Sequence, residues 1–245
     1  MYEELKRIAK VLLPASVLKG NEDVIRKLIA RKYKGDRYQC NICNYNLSDW
    51  VRLDRGDLLC PACGSLGRSR RLHSILDAMD LGGLRVLHFS PPAGLRKLYR
   101  SNQAIEYITT DYAGEFEADY NYDILNIDAD DESYDVIICY HVLEHIEDDR
   151  IAIAELYRVL ADRGLLFVQT PFHDPPTDEN PEYNTPALRL LHYGQDDHVR
   201  IYNADDLERR LRQTGFDVSK RHYESGGENV NGFKGEEIVL ISRKM

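Results

Sequence analysis

Four of the five cysteines fall in two pairs whose spacing is typical of a metal site. Cys40 and Cys43 enclose two residues, as do Cys60 and Cys63, and sixteen residues separate the pairs. Two residues between cysteines allow a tight turn that directs both thiolates at one ion, and two such turns complete a tetrahedral shell of sulfurs. The spacing therefore predicts a zinc ribbon. The alternatives are four reduced structural cysteines or a redox pair.

All four positions of that shell would be filled by the protein, which leaves none open for a catalytic water. We therefore expect a structural zinc whose binding supplies folding energy to a segment too small to be held by burial. Trp50, Val51 and Leu53, between the pairs, are expected to form a short hairpin. The fifth cysteine, Cys139, ends an apolar run and is expected to be buried in a strand.

Composition and charge narrow the function classes. The chain has 245 residues, 43% hydrophobic and 30% charged, as in soluble globular proteins. No apolar run approaches the roughly 20 residues of a membrane helix, and the start does not resemble a signal peptide, so we expect a cytoplasmic protein with no membrane partner. The net charge of −9 argues against a broad phosphate-binding surface but leaves a local one open. Arg68, Arg70 and Arg71, with Arg52 and Arg55 nearby, are interpreted as a solvated face or, alternatively, as phosphate contacts.

Short apolar runs alternate with helical patterns after the cysteines. Strands are predicted at Leu84–Phe89, Ile105–Thr109, Tyr134–Tyr140, Leu165–Thr170, Phe216–Arg221 and Glu237–Ser242. Helices are predicted at Leu95–Arg100, at Asp148–Leu160 with an apolar stripe of Ile151, Ala154, Leu156 and Val159, and at Ala204–Thr214, ended by Gly215. The alternation favours an α/β fold with a doubly wound, largely parallel sheet and a ligand at the carboxyl ends of its strands.

Residues 1–35 are predicted to form two basic amphipathic helices. One apolar stripe comprises Leu5, Ile8, Val11 and Leu12, and the other comprises Val24, Ile25, Leu28 and Ile29. These helices could pack on the main domain, cover a cleft or mediate a homodimer. The predicted organisation is N-terminal helices at 1–35, a zinc ribbon at 36–66 and a main domain at 67–245.

Three stretches, in this order, closely resemble the core of class I S-adenosylmethionine (SAM)-dependent methyltransferases. They are Tyr134-Asp-Val-Ile-Ile-Cys-Tyr-His-Val-Leu-Glu-His-Ile, Ala154-Glu-Leu-Tyr-Arg-Val-Leu and Gly164-Leu-Leu-Phe-Val. The resemblance covers about residues 83–243 and implies a Rossmann-like fold, SAM as cofactor, and methyl transfer to a small-molecule or glycan-type acceptor. Two alternatives stay open: an RNA base methyltransferase that recognises RNA through the ribbon, and a non-catalytic SAM-binding protein.

The resemblance places one group of cofactor contacts in the turn after the first strand, where the family has a glycine string. His88, Ser90, Pro91 and Gly94 occupy this turn, and only Gly94 remains of the glycines. A related branch of zinc-ribbon methyltransferases has a similar His-Phe-Ala-Pro-type turn. We therefore expect this turn to present backbone groups to the methionine part of SAM.

A second group of contacts follows from the next strand. Asp111 would accept hydrogen bonds from both ribose hydroxyls, because a carboxylate offers paired acceptors, and Tyr112 follows it. Asp123 matches the residue that contacts the adenine amino group, and Ile124 would line the adenine pocket. The alternatives are a turn-forming role for Asp111 and a capping role for Asp123.

His141, Glu144 and His145 follow the strand at Tyr134–Tyr140. The resemblance places His141 beside the reactive methyl group, where it would contact the methionine part of SAM or the acceptor. Glu144 and His145 would open the next helix and match a Leu-Glu-His stretch that is more often structural than catalytic in the family.

The long interval between Thr170 and Ala204 is expected to form the acceptor pocket, since long loops are usually functional or disordered. Tyr193-Gly-Gln-Asp-Asp-His-Val-Arg-Ile-Tyr202 resembles a Phe-Gly-Gln-x-Asp-His-Val-Arg-x-Tyr stretch in a bacterial branch of these enzymes. Candidate acceptor residues are His173, Asp197, His198, Arg200 and Tyr202. A histidine such as His198 could take a proton from an acceptor hydroxyl. The alternative is a hydrogen-bonded network that only orders the loop.

Overall fold

The computed structural model describes residues 24–53 and 56–245, and this part of the chain divides into two compact units. The ribbon unit comprises the described residues up to Asp80, together with Pro92–Ser101 and Glu224–Glu236. The sheet unit comprises Leu81–Pro91, Asn102–Tyr223 and Glu237–Met245. The boundaries expected at residues 35 and 66 stay predictions.

The ribbon unit contains two short antiparallel hairpins. Strand β1 (Lys34–Gln39) pairs with β2 (Asn46–Leu47), and β3 (Val51–Arg52) pairs with β4 (Leu58–Leu59). The hairpin predicted between the cysteine pairs is therefore confirmed. Trp50, which precedes it, is 3% exposed, and its ring centroid lies 6.1 Å from that of Tyr38.

The N-terminal stripes are only partly within the described chain. The first stripe, Leu5, Ile8, Val11 and Leu12, lies outside the described residues. Residues 24–30 are helical (α1), as predicted. Val24 and Leu28 of the second stripe are 56% and 54% exposed, whereas Ile29 packs on Val51 and Leu59. The second stripe is therefore only partly buried within the described structure.

Helix α2 (Gly67–Asp77), which the sequence analysis did not predict, carries a buried arginine into the ribbon unit. Arg70 is 0% exposed, and its Cζ atom lies 4.0 Å from the centroid of the Trp50 ring. Its guanidinium donates hydrogen bonds of 2.5–2.9 Å to four carbonyl oxygens, those of Leu58, Ser65, Asn231 and Gly232. The guanidinium thus satisfies carbonyls from three separate stretches of chain.

The neighbouring arginines behave differently from the solvated face that we expected. Arg71 is 9% exposed, and its Cζ atom lies 3.9 Å from the centroid of the Phe233 ring. Arg68 is half-buried. The expectation of a solvated arginine face is wrong for Arg70 and Arg71, because these guanidinium groups contact aromatic rings and backbone carbonyls inside the unit.

Helix α3 (Ala93–Arg100) also belongs to the ribbon unit and confirms the helix predicted at Leu95–Arg100. Leu95 and Tyr99 are its buried residues, and the Tyr99 hydroxyl lies 3.0 Å from His73 Nδ1 on α2. These contacts join α3 to the helix that carries Arg70.

The sheet unit is built on six strands. Their bounds are β5 (Arg85–Phe89), β6 (Glu106–Thr110), β7 (Tyr134–Tyr140), β8 (Leu160–Gln169), β9 (Phe216–Glu224) and β10 (Glu236–Lys244). They lie in the order β6-β5-β7-β8-β10-β9; β6, β5, β7 and β8 are parallel, and β10 is antiparallel to β8. This arrangement confirms the α/β, largely parallel, Rossmann-like sheet. The chain order reverses between β5 and β7, so ligands are expected at the carboxyl ends of these strands.

Strand β7 was predicted with its observed bounds because a strand covered on both faces is apolar throughout. Strand β8 instead begins five residues before the predicted Leu165. Leu160 pairs with Tyr134 and Leu165 with Val136, so the register shifts between these two pairs, within a stretch where Arg163 has φ +59°. The polar residues of this irregularity interrupt the apolar pattern, which hid the early start of the strand.

Three helices belong to the sheet unit: α4 (Asp149–Val159), α5 (Pro186–Tyr193) and α6 (Ala204–Thr214). Helix α6 was predicted with these bounds; it ends at Gly215, with φ +117°, and Asn203 caps its start. Helix α5 was not predicted. The predicted stripe of α4 needs correction, because Ile151 and Ala154 are exposed. The buried face consists of Ala152, Ile153, Leu156 and Val159.

The core of the sheet unit combines side chains from strands and helices. Leu87 and Ile137 of the central strands are 0% exposed, as are Leu156 of α4 and Leu207 of α6. Cys139 is 1% exposed in β7, as predicted, and burial raises the pKa of its thiol. Within the described chain, no helix combines the length and apolar character that crossing a bilayer requires.

The position of Arg70 leads to a first prediction. Arg70→Lys should lower the free energy of unfolding by roughly 3 kcal/mol or more, because one ammonium cannot serve four carbonyls and each unsatisfied buried group costs about 1–3 kcal/mol. Urea unfolding followed by circular dichroism measures this change. Arg68→Lys, on the same helix but half-buried, is the matched control. Equal stability of the two variants would contradict the assigned role of Arg70.

Candidate functional site

The four paired cysteines converge in the ribbon unit. The sulfur of Cys40 lies 3.7 Å from that of Cys63, the sulfur of Cys43 lies 3.8 Å from that of Cys60, and all four lie within 4.8 Å of one another. A tetrahedral zinc ion with bonds of about 2.3 Å requires sulfurs about 3.8 Å apart. The residues therefore fit a zinc ion, and the shell would be complete without water.

The two cysteine turns have the same backbone geometry. Asn44 N donates to Cys40 O at 2.7 Å, and Gly64 N donates to Cys60 O at 2.8 Å. Asn44 and Gly64, each directly after the second cysteine of its pair, have φ +56° and +75°. Glycine and asparagine adopt this left-handed conformation most readily, so the residues that follow each pair allow both thiolates to point inward.

The candidate cofactor edge lies at the carboxyl ends of β5 and β6. Asp111 follows β6, is 3% exposed, and accepts hydrogen bonds from Ser90 Oγ at 2.7 Å and from Phe116 N at 3.1 Å. Ser90 follows β5 with φ +46°, and its N–H donates to Thr110 O at 2.7 Å. The turn therefore adopts a conformation that favours glycine even though serine occupies the position, and it holds the Asp111 carboxylate at the edge of the sheet.

Two other residues predicted to contact the cofactor on the β5 side have defined surroundings. His88 is 1% exposed, and its Nδ1 lies 2.8 Å from the Tyr107 hydroxyl on β6; burial lowers the pKa of His88 to about 3. The imidazole is therefore neutral. Gly94 lies in the ribbon unit as the second residue of α3, where an added Cβ would be 3.4 Å from Cys63 O. Pro91, between them in sequence, is buried.

The residues predicted on the adenine side lie after β6. Tyr112 is 71% exposed, and Ile124 is 4% exposed within the main core. Asp123 Oδ1 accepts a hydrogen bond from Leu125 N at 2.9 Å, which is the capping role considered as the alternative. The cofactor contacts assigned to these residues stay predictions.

The segment after β7 forms a cluster of histidine and carboxylate side chains, which we call the His–Glu cluster: Glu144, His145 and His198. One ligand atom from each lies within 4.8 Å of the others. The rings of His145 and His198 meet edge to face with centroids 4.7 Å apart. Glu144 and His145 were expected to open a helix, but Leu143–His145 forms a 3-10 turn and α4 begins at Asp149. This turn brings both side chains to His198.

Two flanking side chains orient the cluster. His141 Nδ1 lies 3.1 Å from Glu144 Oε1, and His145 Nδ1 lies 3.1 Å from Asp197 Oδ2. His141 has φ +55°, and its N–H donates to Gln169 O at 2.8 Å, which attaches the turn to the end of β8. His141 is therefore adjacent to the cluster, and its expected contact with SAM or the acceptor stays a prediction.

Burial decides the protonation states of the cluster. Glu144 is 1% exposed; burial opposes its ionised form, but the hydrogen bond and charge of His141, with His145 nearby, lower the pKa of Glu144 below its ordinary value. Burial lowers the pKa of His198, which is 3% exposed, although the Glu144 carboxylate opposes this shift. Near neutral pH the cluster thus holds a carboxylate beside a neutral imidazole.

Arg200 and Tyr202 form the hydrogen-bonded network that places His198. Arg200 is 5% exposed, and its guanidinium donates to the carbonyl oxygens of the 3-10 turn and its continuation, those of Leu143, Ile146 and Glu147. Val199 N donates to Glu144 O at 2.9 Å, and the Tyr202 hydroxyl donates to Asp149 Oδ2 at 2.6 Å. Arg200 and Tyr202 are therefore structural, whereas His198 and Asp197 face the cluster.

His173 lies on the segment that follows β8. Its N–H donates to Tyr202 O at 3.0 Å, and its carbonyl oxygen accepts a hydrogen bond from Asn203. The His–Glu cluster found among the described residues does not include it. In sequence, Glu144 and His145 match a stretch that is more often structural than catalytic, and only their distance to His198 in the fold marks them as candidate site residues.

Comparisons with known proteins agree with this geometry. Residues 62–220, more than half of the chain, match the family described as a methyltransferase domain. The O-methyltransferase cnsE of Penicillium expansum is 25% identical over 158 residues, which cover 58% of this chain and 55% of that protein. The ubiquinone biosynthesis O-methyltransferase of Saccharophagus degradans is 24% identical over 192 residues, covering 72% of this chain and 70% of that protein. The chain thus spans little more than half the length of the fungal relative.

A solved structure shows the same fold. The crystal structure of a SAM-dependent methyltransferase from Archaeoglobus fulgidus superposes with a TM-score of 0.51 at 15% identity, covering 72% of this chain and 93% of that one. The family match, the strand order with its antiparallel β10, and the fold of this neighbour agree. The chain therefore belongs to the methyltransferase domain family and has the fold of a class I SAM-dependent methyltransferase.

Proposed function

We propose that this methyltransferase transfers the methyl group of SAM to a hydroxyl of a small molecule or of a glycan-type acceptor. The observation that carries the proposal is the buried His–Glu cluster at the carboxyl end of β7, with its neutral His198 beside the Glu144 carboxylate. A hydroxyl is a weak nucleophile, so a site that acts on it must promote loss of its proton. Amine acceptors can attack without such a group.

Two further findings support a hydroxyl acceptor. The curated relatives from Penicillium expansum and Saccharophagus degradans are both named as O-methyltransferases. Of the arginines considered as phosphate contacts for an RNA acceptor, Arg70 and Arg71 are buried and contact the protein itself. These two arginines are therefore engaged within the protein, which supports a small acceptor over RNA.

The reaction needs few protein groups because the sulfonium of SAM already activates the methyl group. The protein must align the acceptor oxygen behind the methyl carbon and exclude water. The methyl group moves from sulfur to oxygen, the hydroxyl proton passes to solvent, and S-adenosylhomocysteine remains. We propose that His198 acts on the acceptor oxygen, with His141 beside it and His173 on the neighbouring segment of the pocket.

The acceptor class is tested with methyl-labelled SAM. We expect label in catechols, phenols or sugars offered as substrates, and none in total RNA. His198→Ala should lower turnover about 100-fold or more, because general acid–base groups contribute that much, while binding of S-adenosylhomocysteine measured by calorimetry stays unchanged. His222→Ala, an exposed histidine on β9, is the matched control. Label found in RNA would overturn the proposal.

For the cofactor, we propose that Asp111 binds the ribose hydroxyls of SAM, supported by its buried position after β6. Asp111→Asn should weaken S-adenosylhomocysteine binding at least tenfold, since hydrogen bonds to a charged group contribute about 1.5–3 kcal/mol. Calorimetry measures the affinity, and Asp128→Asn, an exposed loop acid, is the control. Equal affinities in the two variants would mean that Asp111 serves only to order the turn.

We also propose that the four paired cysteines hold one structural zinc ion, supported by sulfur separations of 3.7 and 3.8 Å. The purified protein should contain about one zinc per chain by elemental analysis, and Cys43→Ser should lose it, because a closed shell of sulfurs needs all four thiolates. Cys139→Ala, in the sheet core, should retain it. A folded wild-type protein free of zinc would refute this assignment.

A further inference from the structure

The His–Glu cluster contains two buried polar atoms whose bonding the described protein does not complete. Glu144 Oε2 and His198 Nε2 have no hydrogen-bond partner among the described residues, and the two side chains are 1% and 3% exposed. Buried polar atoms are normally hydrogen-bonded, so each such atom requires an explanation. Both atoms belong to groups that donate an electron pair.

The remaining contacts of the cluster orient these electron pairs. Asp197 Oδ2 lies 3.1 Å from His145 Nδ1, which favours a proton on Nδ1 and a lone pair on Nε2 of His145. His141 Nδ1 lies 3.1 Å from Glu144 Oε1, so Glu144 Oε2 is the carboxylate oxygen that remains for a ligand. A carboxylate on the far nitrogen of an imidazole and a hydrogen bond on a ligating carboxylate are the usual outer contacts of metal ligands.

We propose that Glu144, His145 and His198 bind one divalent transition-metal ion. Bonds of about 2.1 Å to each donor require donor atoms roughly 3–4 Å apart. The three ligand atoms already lie within 4.8 Å of one another, so small side-chain rotations close the site. Two imidazoles and one carboxylate favour a first-row transition ion over Mg²⁺ or Ca²⁺, which prefer oxygen.

Three protein ligands leave coordination positions for another molecule. The side chains of His141 and His145 are 23% and 31% exposed, so this side of the cluster is partly open to solvent. Resting on the proposed function, the inference gives the ion a role: it binds the acceptor oxygen and lowers the pKa of the hydroxyl, whose proton passes to solvent. His198 would then act on the acceptor oxygen through the ion that it binds, rather than by taking the proton itself.

Manganese is the probe that separates this site from the ribbon, because Mn²⁺ binds thiolates poorly. Zinc-loaded protein is titrated with MnCl2 without SAM or acceptor, and bound Mn²⁺ is measured by calorimetry and by loss of the electron paramagnetic resonance signal of the free ion. We expect one Mn²⁺ per chain. Glu144→Gln and His198→Ala should weaken binding at least tenfold, and His222→Ala should not change it.

Asp197→Asn provides a variant that should fold, because the Asp197 side chain is 62% exposed. It should weaken Mn²⁺ binding about tenfold, as loss of an outer-shell partner does, without removing a ligand. Absence of Mn²⁺ binding in the wild type, or equal binding in all variants, overturns the metal site.

The two proposals fail separately. If a hydroxyl acceptor is methylated at the same rate with and without a chelator that leaves the ribbon zinc in place, the proposed function stands and the cation role falls. If Mn²⁺ binding depends on the three ligands but label enters only RNA or amines, the metal site stands and the proposed acceptor class falls.

Discussion

The guanidinium of Arg200 is the interaction on which the candidate site depends. It donates hydrogen bonds to the carbonyl oxygen of Leu143 in the 3-10 turn and to those of Ile146 and Glu147, which follow the turn. Because Val199 N also bonds Glu144 O, the segment that carries His198 is held against the segment that carries Glu144 and His145. Without this attachment, nothing in the local sequence would bring the side chains of the His–Glu cluster together.

A buried arginine that binds several backbone carbonyl oxygens also occurs in the ribbon unit. Arg70 binds four carbonyl oxygens from separate stretches, just as Arg200 binds three around a turn. Arginine suits both places because its planar group has five donors in a fixed geometry and stays charged when buried, whereas lysine offers one point of charge. In both units, a buried arginine therefore replaces the hydrogen bonds that regular secondary structure would have made.

The two candidate metal centres differ in ligand type and in the number of coordination positions that they leave open, and these differences suit them to different roles. The cysteine site offers four sulfurs and would leave no free position, which suits a stabilising ion. The His–Glu cluster offers nitrogen and oxygen donors, is partly open to solvent, and lies at the carboxyl end of β7, where this fold places its ligands. A closed shell of soft sulfur ligands suits an ion that stabilises the fold. An open shell of harder nitrogen and oxygen ligands suits an ion that also binds an acceptor oxygen.

Much of the fold and of the candidate sites could be predicted directly from the sequence, because the interactions that determine these features are local. The cysteine spacing, the bounds of β7 and α6, and the acid after β6 follow from turn geometry, hydrophobic periodicity and capping within a few residues. The hydrophobic pattern gave a wrong prediction in two places. The register shift in β8 interrupts the apolar run of that strand, so its start was predicted too late. Ile151 is 50% exposed, although its spacing in the helix predicted a buried position. Arg70 read as a surface charge because composition alone does not reveal burial.

Only the tertiary structure decided which residues form the site. Glu144 and His198 are far apart in the chain, and their contact depends on Arg200, Val199 and the 3-10 turn acting together. Likewise, Ser90 keeps the conformation of a glycine because its side chain bonds Asp111 on the neighbouring strand end. The sequence by itself determined the fold family and the four cysteines of the candidate zinc site, since these are set by short-range spacing. The meeting of the catalytic candidates depended on long-range packing, which no local pattern records.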